Sequence, residues 1–174
     1  MAKIAFGKLG LTKNTSTTII NYNGQDIEVK NYLPVNEKLE LISSVINLSA
    51  DENNFANPMK VSVFTVLALI EAYTNISFTE KQKEDPCKMY DLFVSSGLSA
   101  MVMNTIPSVE LAELLTGIDD SINAVYAYRN SAMGVLDIIQ NNYDGMSLDA
   151  QNLQTAIADP SNLSLLKDVI TKLG

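Results

Sequence analysis

The dipeptide Asn23-Gly24, between two segments rich in β-branched residues, is the feature that most constrains the fold. Asn-Gly readily supplies the two positive-φ residues of a tight turn, which joins two antiparallel strands. The flanking segments are residues 17–22 and 26–30, and in the second one apolar and charged residues alternate, which predicts one buried face. Two strands alone are marginally stable, so the predicted hairpin must pack on other elements. Its open edge is a candidate contact surface.

Beyond the hairpin, apolar residues recur at spacings of three and four, which predicts α-helices. We expect the first helix to be capped by Asn36 and to run through Ser49. Its expected apolar face consists of Leu39, Ile42, Ile46 and Ser49.

Start and stop signals divide the next part of the chain. Asn57-Pro58 predicts a helix start, since proline at the first helical position loses no hydrogen bond. A capping box begins at Thr79, a further start is predicted at Asp85-Pro86 with a helix through Ser96, and Gly97 is a natural stop. A short helix is expected over residues 98–104.

The remaining sequence contains the longest periodic region, residues 108–143, which Gly117 and Gly134 weaken. Its apolar stripe includes Leu111, Leu114, Leu115, Ile118 and Ile122. Two short amphipathic helices are predicted over residues 148–158 and 160–173. The apolar face of the last one either covers the domain's own core or docks on a partner, and its residues include Leu163, Leu166, Ile170 and Leu173.

The predicted fold is therefore mainly α: a bundle of about six helices with an N-terminal extended arm and a β-hairpin. Residues 1–16 form the arm, and residues 17–174 form a single helical domain. The arm contains Lys3, Lys8 and Lys13 and no acidic residue. It is either a frayed terminus or a basic segment that orders on an acidic neighbouring surface, such as another copy of this chain.

The composition argues against most familiar catalysis. Histidine is absent, which removes the most common general base near neutral pH and the most common zinc ligand. The one cysteine, Cys87, is interpreted as a small core or boundary residue. Glu110, Glu113 and the pair Asp119-Asp120 are expected along the exposed side of one helix, either as a solvated face or as a cation-attracting patch. We expect no enzyme activity, cofactor or metal; an enzyme that uses the Asp119-Asp120 region with a metal is a remote alternative.

Charge and hydropathy exclude two classes of partner. The net charge is −8 and Arg129 is the only arginine, whereas phosphate binding needs clustered basic residues, so we expect no nucleic acid. The most apolar segment, residues 61–70, is about half of the roughly 20 residues that span a bilayer, so we expect no membrane. A single cysteine and an N-terminus unlike a signal peptide favour the cytoplasm.

Residues 20–34, with Glu37-Lys38-Leu39-Glu40-Leu41-Ile42 after them, resemble small proteins of tailed-phage morphogenesis clusters. Shorter matches lie at residues 83–86, 90–92 and 95–98. The layout, a short β element before an acidic helical body, resembles the tail assembly chaperones of long-tailed phages. That resemblance implies a non-enzymatic protein that coats the tape-measure protein and recruits tail-tube subunits. The basic arm instead resembles the arms by which virion proteins clasp neighbours, which favours a head, neck or tail component.

The expected partners are therefore proteins, either other phage structural proteins or copies of this chain, in the host cytoplasm or in the virion. The alternative is a cytosolic regulator or inhibitor that binds a host protein through its acidic surface. The candidate contact residues come from the arm, the hairpin and the last helix: Lys3, Lys8, Lys13, Tyr22, Asn23, Gly24, Leu163, Leu166, Ile170 and Leu173.

Overall fold

The computed structural model describes residues 3–51 and 55–136. A 3-10 turn at Phe6–Leu9 precedes the strands β1 (Thr17–Tyr22) and β2 (Gln25–Lys30). The helices that follow are α1 (Val35–Ser49), α2 (Pro58–Tyr73), α3 (Glu80–Lys83), α4 (Pro86–Ser95), α5 (Leu98–Thr105) and α6 (Ser108–Arg129). A mainly helical fold with an N-terminal antiparallel hairpin confirms the predicted fold class.

The chain divides into two compact units, Met1–Ile122 and Asn123–Gly174. The packing described below concerns the first unit, which contains the hairpin and the helices up to the greater part of α6. The prediction of a single domain over residues 17–174 stays a prediction.

The hairpin has the predicted turn, and the two-residue loop sets the pairing of its strands. Thr17 lies opposite Lys30 and Tyr22 opposite Gln25. Asn23 and Gly24 adopt φ angles of 51° and 79°, the left-handed region that a type I′ turn requires. The Asn21 side chain adds two bonds at the turn, because it accepts from the Gly24 N–H and donates to Asp26.

One hydrophobic core joins the hairpin to four helices. Ile27 and Val29 lie on the buried face of β2, as the alternation predicts, and Leu33 continues this face into the chain before α1. The helical members of the buried cluster are Leu41, Val45, Leu69, Tyr73, Leu98, Val102, Leu114 and Ile118. The marginal two-stranded sheet is thus stabilised by apolar burial against the helices.

The predicted helix starts in the middle of the chain are confirmed. Asn57 caps α2 by accepting from the N–H groups of Met59 and Lys60, with Pro58 at the first helical position. Thr79 and Gln82 form the capping box of α3. Asp85 caps α4 by accepting from the Lys88 N–H.

The prediction for α1 was wrong at its start and on its buried face. The helix begins at Val35 after Pro34, without a side-chain cap from Asn36. Lys38, Leu41, Val45 and Ser49 point inward, whereas Leu39 is 57% exposed. Of the expected face, Ser49 is buried and Ile42 and Ile46 are half-buried. The buried face is instead centred on Leu41 and Val45, and it brings Lys38 to an acidic partner on α6.

The long periodic region is interrupted between its two glycines and at neither of them. Helix α6 ends at Arg129, and residues 132–136 form a short helical segment after the turn at 130–131. Within α6, Leu114 and Ile118 are buried as expected, but Leu115 is 41% exposed. The predicted helices at 148–158 and 160–173 lie outside the described residues, as do Leu163, Leu166, Ile170 and Leu173.

Candidate functional site

A buried charged network surrounds the carboxylate of Glu110. Its Oε1 accepts hydrogen bonds from the Leu33 N–H at 2.8 Å and from the Tyr73 hydroxyl at 2.9 Å. Its Oε2 lies 2.9 Å from Nζ of Lys38, and both of these side chains are less than one-tenth exposed. Lys38 makes a second ion pair of 2.8 Å with Glu113, whose side chain is 65% exposed.

Four separate parts of the chain supply this network. Glu110 lies in the first turn of α6, where the helix dipole favours a negative charge. Lys38 comes from the first turn of α1, Tyr73 is the last residue of α2, and Leu33 belongs to the chain between β2 and α1. Nζ of Lys38 also lies 4.9 Å from the centroid of the Tyr32 ring, within the range of a cation–π interaction.

The network keeps its groups in their ordinary charge states. Burial alone would raise the pKa of Glu110, but hydrogen bonds from Leu33, Lys38 and Tyr73 lower it below its usual value. Burial would lower the pKa of Lys38, but its bonds to Glu113 and Glu110 raise it. Burial and the bond to Glu110 raise the pKa of the Tyr73 hydroxyl. At neutral pH this is an ion pair beside a neutral phenol.

This arrangement links four segments of the fold, and it is poorly suited to proton transfer. Both oxygens of Glu110 already accept hydrogen bonds from the protein, and a carboxylate with a lowered pKa is a weak base. The expectation that Glu110 lies on the exposed side of its helix was wrong, because the residue is only 7% exposed. Its partner Lys38 is 72 residues away in sequence, so helical spacing alone did not reveal the pair.

The other residues considered for chemistry lie apart from this network. Asp119 and Asp120 are exposed. Among the described residues, no three acidic or cysteine side chains lie close enough together to hold a metal ion. Cys87 is exposed, so its interpretation as a core or boundary cysteine was wrong.

The N-terminal arm, as far as it is described, consists of exposed residues from Lys3 to Ser16. Lys3, Lys8 and Lys13 are exposed as predicted. Four apolar side chains between these lysines are also exposed: Ile4 (72%), Phe6 (78%), Leu9 (51%) and Leu11 (68%). The count of charged residues alone did not identify them. Their position between lysines, with Phe6 and Leu9 three residues apart, is the sequence signal that could have identified them.

The hairpin residues predicted to bind a partner lie at the other end of β1 from the arm. Asn23 and Gly24 are exposed at the turn. Tyr22 is half-buried and its hydroxyl donates to the Ser96 carbonyl oxygen at 3.3 Å, so this side chain is directed toward the helices. The structure therefore does not bring the arm lysines and the hairpin turn together, and their role in binding stays a prediction.

An apolar groove opens among α1, α2 and α4, with a volume of about 230 Å³. We call it the α1–α4 groove; its walls include Leu48, Phe64, Leu67, Phe78 and Met89. Phe78 is held by the ring of Phe93, at a centroid distance of 5.8 Å. At the mouth of the groove Lys83 and Glu71 form an ion pair of 3.0 Å, with both side chains about half exposed. Most of its lining side chains are apolar, so the groove can accept an apolar side chain.

Comparison with known proteins gives no relative: no family model matches the chain, and no curated protein or solved structure is significantly similar to it. Among the described residues, no helix combines the length and apolarity needed to cross a membrane.

Proposed function

We propose that this chain is a non-enzymatic assembly protein of a tailed phage, acting as a tail assembly chaperone or as a head, neck or tail component. Its working surface is the N-terminal arm. The observation that carries the proposal is the exposure of Ile4, Phe6, Leu9 and Leu11 on a segment that also holds three lysines. Exposed apolar side chains on an extended basic segment are suited to burial on an acidic, partly apolar protein surface.

The charged residues support a binding role over catalysis. The buried carboxylate of Glu110 is saturated by internal hydrogen bonds, and histidine is absent from the sequence. The phage role rests on the resemblance of residues 20–34 and their neighbours to morphogenesis proteins.

Affinity purification from phage-infected cells tests the proposal, with the full chain and the chain lacking residues 1–16 as matched baits. We expect phage structural proteins to co-purify with the full chain. With the arm-deleted chain, we expect the recovered amount of these proteins to fall at least tenfold. Mass spectrometry of purified particles then separates the two forms, since stoichiometric presence identifies a virion component and absence a chaperone. Equal recovery with both baits would contradict the role of the arm.

The second candidate function is a cytosolic regulator that binds a host protein through its acidic surface. Residues 1–16 carry three positive charges, so subtracting them from the net −8 leaves −11 on the rest of the chain. A surface of that charge suits a basic partner. This candidate predicts a host protein in the purification, retained when the arm is deleted, with phage structural proteins absent.

A further inference from the structure

The same chain exposes an apolar arm and an apolar groove. We propose that the arm of one copy docks in the α1–α4 groove of a second copy, with Phe6 as the anchor. This inference rests on the proposed function and deepens it, because it names the partner of the arm as another copy of the chain.

Shape supports Phe6 as the anchor. In the 3-10 turn Phe6–Leu9, residues three apart lie on the same side, so Phe6 and Leu9 project together. Gly10 ends the turn with a φ of 59°, which gives this part of the arm a defined form. The groove volume of about 230 Å³ exceeds the roughly 150 Å³ of a cavity that binds benzene, so an aromatic ring fits.

A shallower, mixed polar and apolar surface continues beyond the groove along α1. A shallower depression shares Ser44 and Leu48 with the groove and extends back to Leu39 and Glu40. Leu39 and Leu48, nine positions or about 13 Å apart along the helix, are 57% and 53% exposed at the two edges of this surface, with Glu40, Ser43 and Asn47 between them. This strip offers contacts for the apolar residues of the arm that flank Phe6.

Charge complementarity favours a copy of this chain as the occupant. The arm carries three lysines and no acid, whereas the rest of the chain has a net charge of −11. Glu40 lies exposed on the rim of the strip, and the lysine at the groove mouth, Lys83, is already paired with Glu71. A basic arm is therefore attracted to the body that displays the groove.

The arm does not use the groove of its own chain. Phe6 remains 78% exposed while the groove of the same molecule is open. Docking on a second copy buries the exposed apolar side chains of the arm and the apolar lining of the groove together. If two copies exchange their arms reciprocally, the contact is made twice and the assembly closes as a symmetric dimer.

Sedimentation equilibrium over a range of concentrations tests the association. We expect the full chain to self-associate. We expect Phe6→Ser or Leu48→Glu to weaken this association, raising the dissociation constant at least tenfold. Val109→Ser and Leu92→Glu are matched controls, since they change side chains 81% and 61% exposed outside the arm and the groove. Unchanged association after deletion of residues 1–16, or a monomer at every concentration, would overturn the inference.

Cross-linking tests the site of docking, because Cys87 is exposed directly beside Pro86 of the groove wall. A Gly7→Cys variant, treated with a short bismaleimide, is expected to give a dimer band that disappears when Cys87→Ser is added. When two versions of the Gly7→Cys variant with tags of different length are mixed before cross-linking, a heterodimer band of intermediate size is expected. A link confined to single chains would show docking on the chain's own groove and overturn the inference.

The two proposals fail in different ways. If the chain is monomeric but the arm still recruits another protein from infected cells, only the second-copy inference fails. If arm deletion changes neither self-association nor recruitment, the proposed function of the arm fails as well.

Discussion

At the residue scale, Glu110 connects three distant parts of the chain through one carboxylate. It accepts from Leu33, Lys38 and Tyr73 while it is almost fully buried. Breaking a buried ion pair costs about 3–5 kcal/mol; the loss here is expected at the lower end, because Lys38 keeps its second ion pair with the partly exposed Glu113. We therefore expect Glu110→Gln to lower the free energy of unfolding by about 3 kcal/mol, measured by urea denaturation.

Glu113→Gln is the matched control for that substitution. Glu113 also pairs with Lys38, but its side chain is 65% exposed, and exposed ion pairs contribute less than about 1 kcal/mol. Equal losses for the two variants would contradict the account of Glu110 as the centre of the network.

The pH dependence of stability is a second prediction at this scale. The pKa of Glu110 in the folded protein lies below its ordinary value of 4.5. At a pH between the lowered pKa and 4.5, the unfolded chain therefore binds more protons than the folded chain. The stabilisation is therefore complete above about pH 4.5 and is lost as the pH falls through the lowered pKa. We expect the stability difference between wild type and Glu110→Gln, followed by urea denaturation from pH 7 to pH 3, to shrink only below pH 4.5. A difference that stays constant over this range would argue against the lowered pKa.

At the scale of elements, local sequence features were enough to predict the hairpin and most helix starts. The Asn23-Gly24 turn, the Asn57 cap and the Thr79 capping box depend on residues within a few positions of each other. Their backbone preferences and hydrogen bonds involve only neighbouring residues. Such features can be read from one sequence.

The buried face of α1 could not be predicted in the same way. Periodicity favoured Leu39, Ile42 and Ile46, but the structure buries the charged residue Lys38 and exposes Leu39. Hydropathy treats a lysine as a surface residue, and its acidic partner Glu110 is distant in sequence. The buried face contains one half of an ion pair whose other half is 72 residues away, and no local pattern contains that pair.

Close packing between α1 and α6 gives a prediction at this scale. A Cβ added at Gly117 would lie 2.8 Å from Cδ1 of Ile42 and 3.9 Å from its Cγ1. Alanine is favoured over glycine within a helix by about 1 kcal/mol, but here the contact opposes the gain. We expect Gly117→Ala to be nearly neutral in the wild type and to stabilise an Ile42→Val background, which lacks Cδ1, by about 1 kcal/mol.

Thermal and urea denaturation of the wild type, Gly117→Ala, Ile42→Val and the double variant measure how strongly the effects of the two substitutions on stability depend on each other. Additive effects would mean that a Cβ at position 117 is not opposed by Cδ1 of Ile42. Gly7→Ala serves as a control in the arm, since no atom lies within 4 Å of an added Cβ at that position.

At the scale of the whole molecule, the sequence indicated part of the candidate site. Its charge distribution separates a basic arm from an acidic body, and Lys3, Lys8 and Lys13 were predicted from it. The α1–α4 groove was not predicted, because its walls come from four helices, α1 to α4, and the segment between α2 and α3. Which apolar side chains line a shared cavity depends on how the helices pack, and helical periodicity does not report that.

The division into two units predicts where the chain can be cut. The buried core cluster runs from Ile27 to Ile118 and lies entirely within the first unit, which ends at Ile122. We expect residues 1–122 to unfold in a single cooperative transition in urea, followed by circular dichroism. A fragment of residues 1–107 is the control, because it lacks Glu110, Leu114 and Ile118 and should lose that transition. If residues 1–122 also unfold without cooperativity, the core needs the rest of the chain, and a single domain over residues 17–174 is the better description.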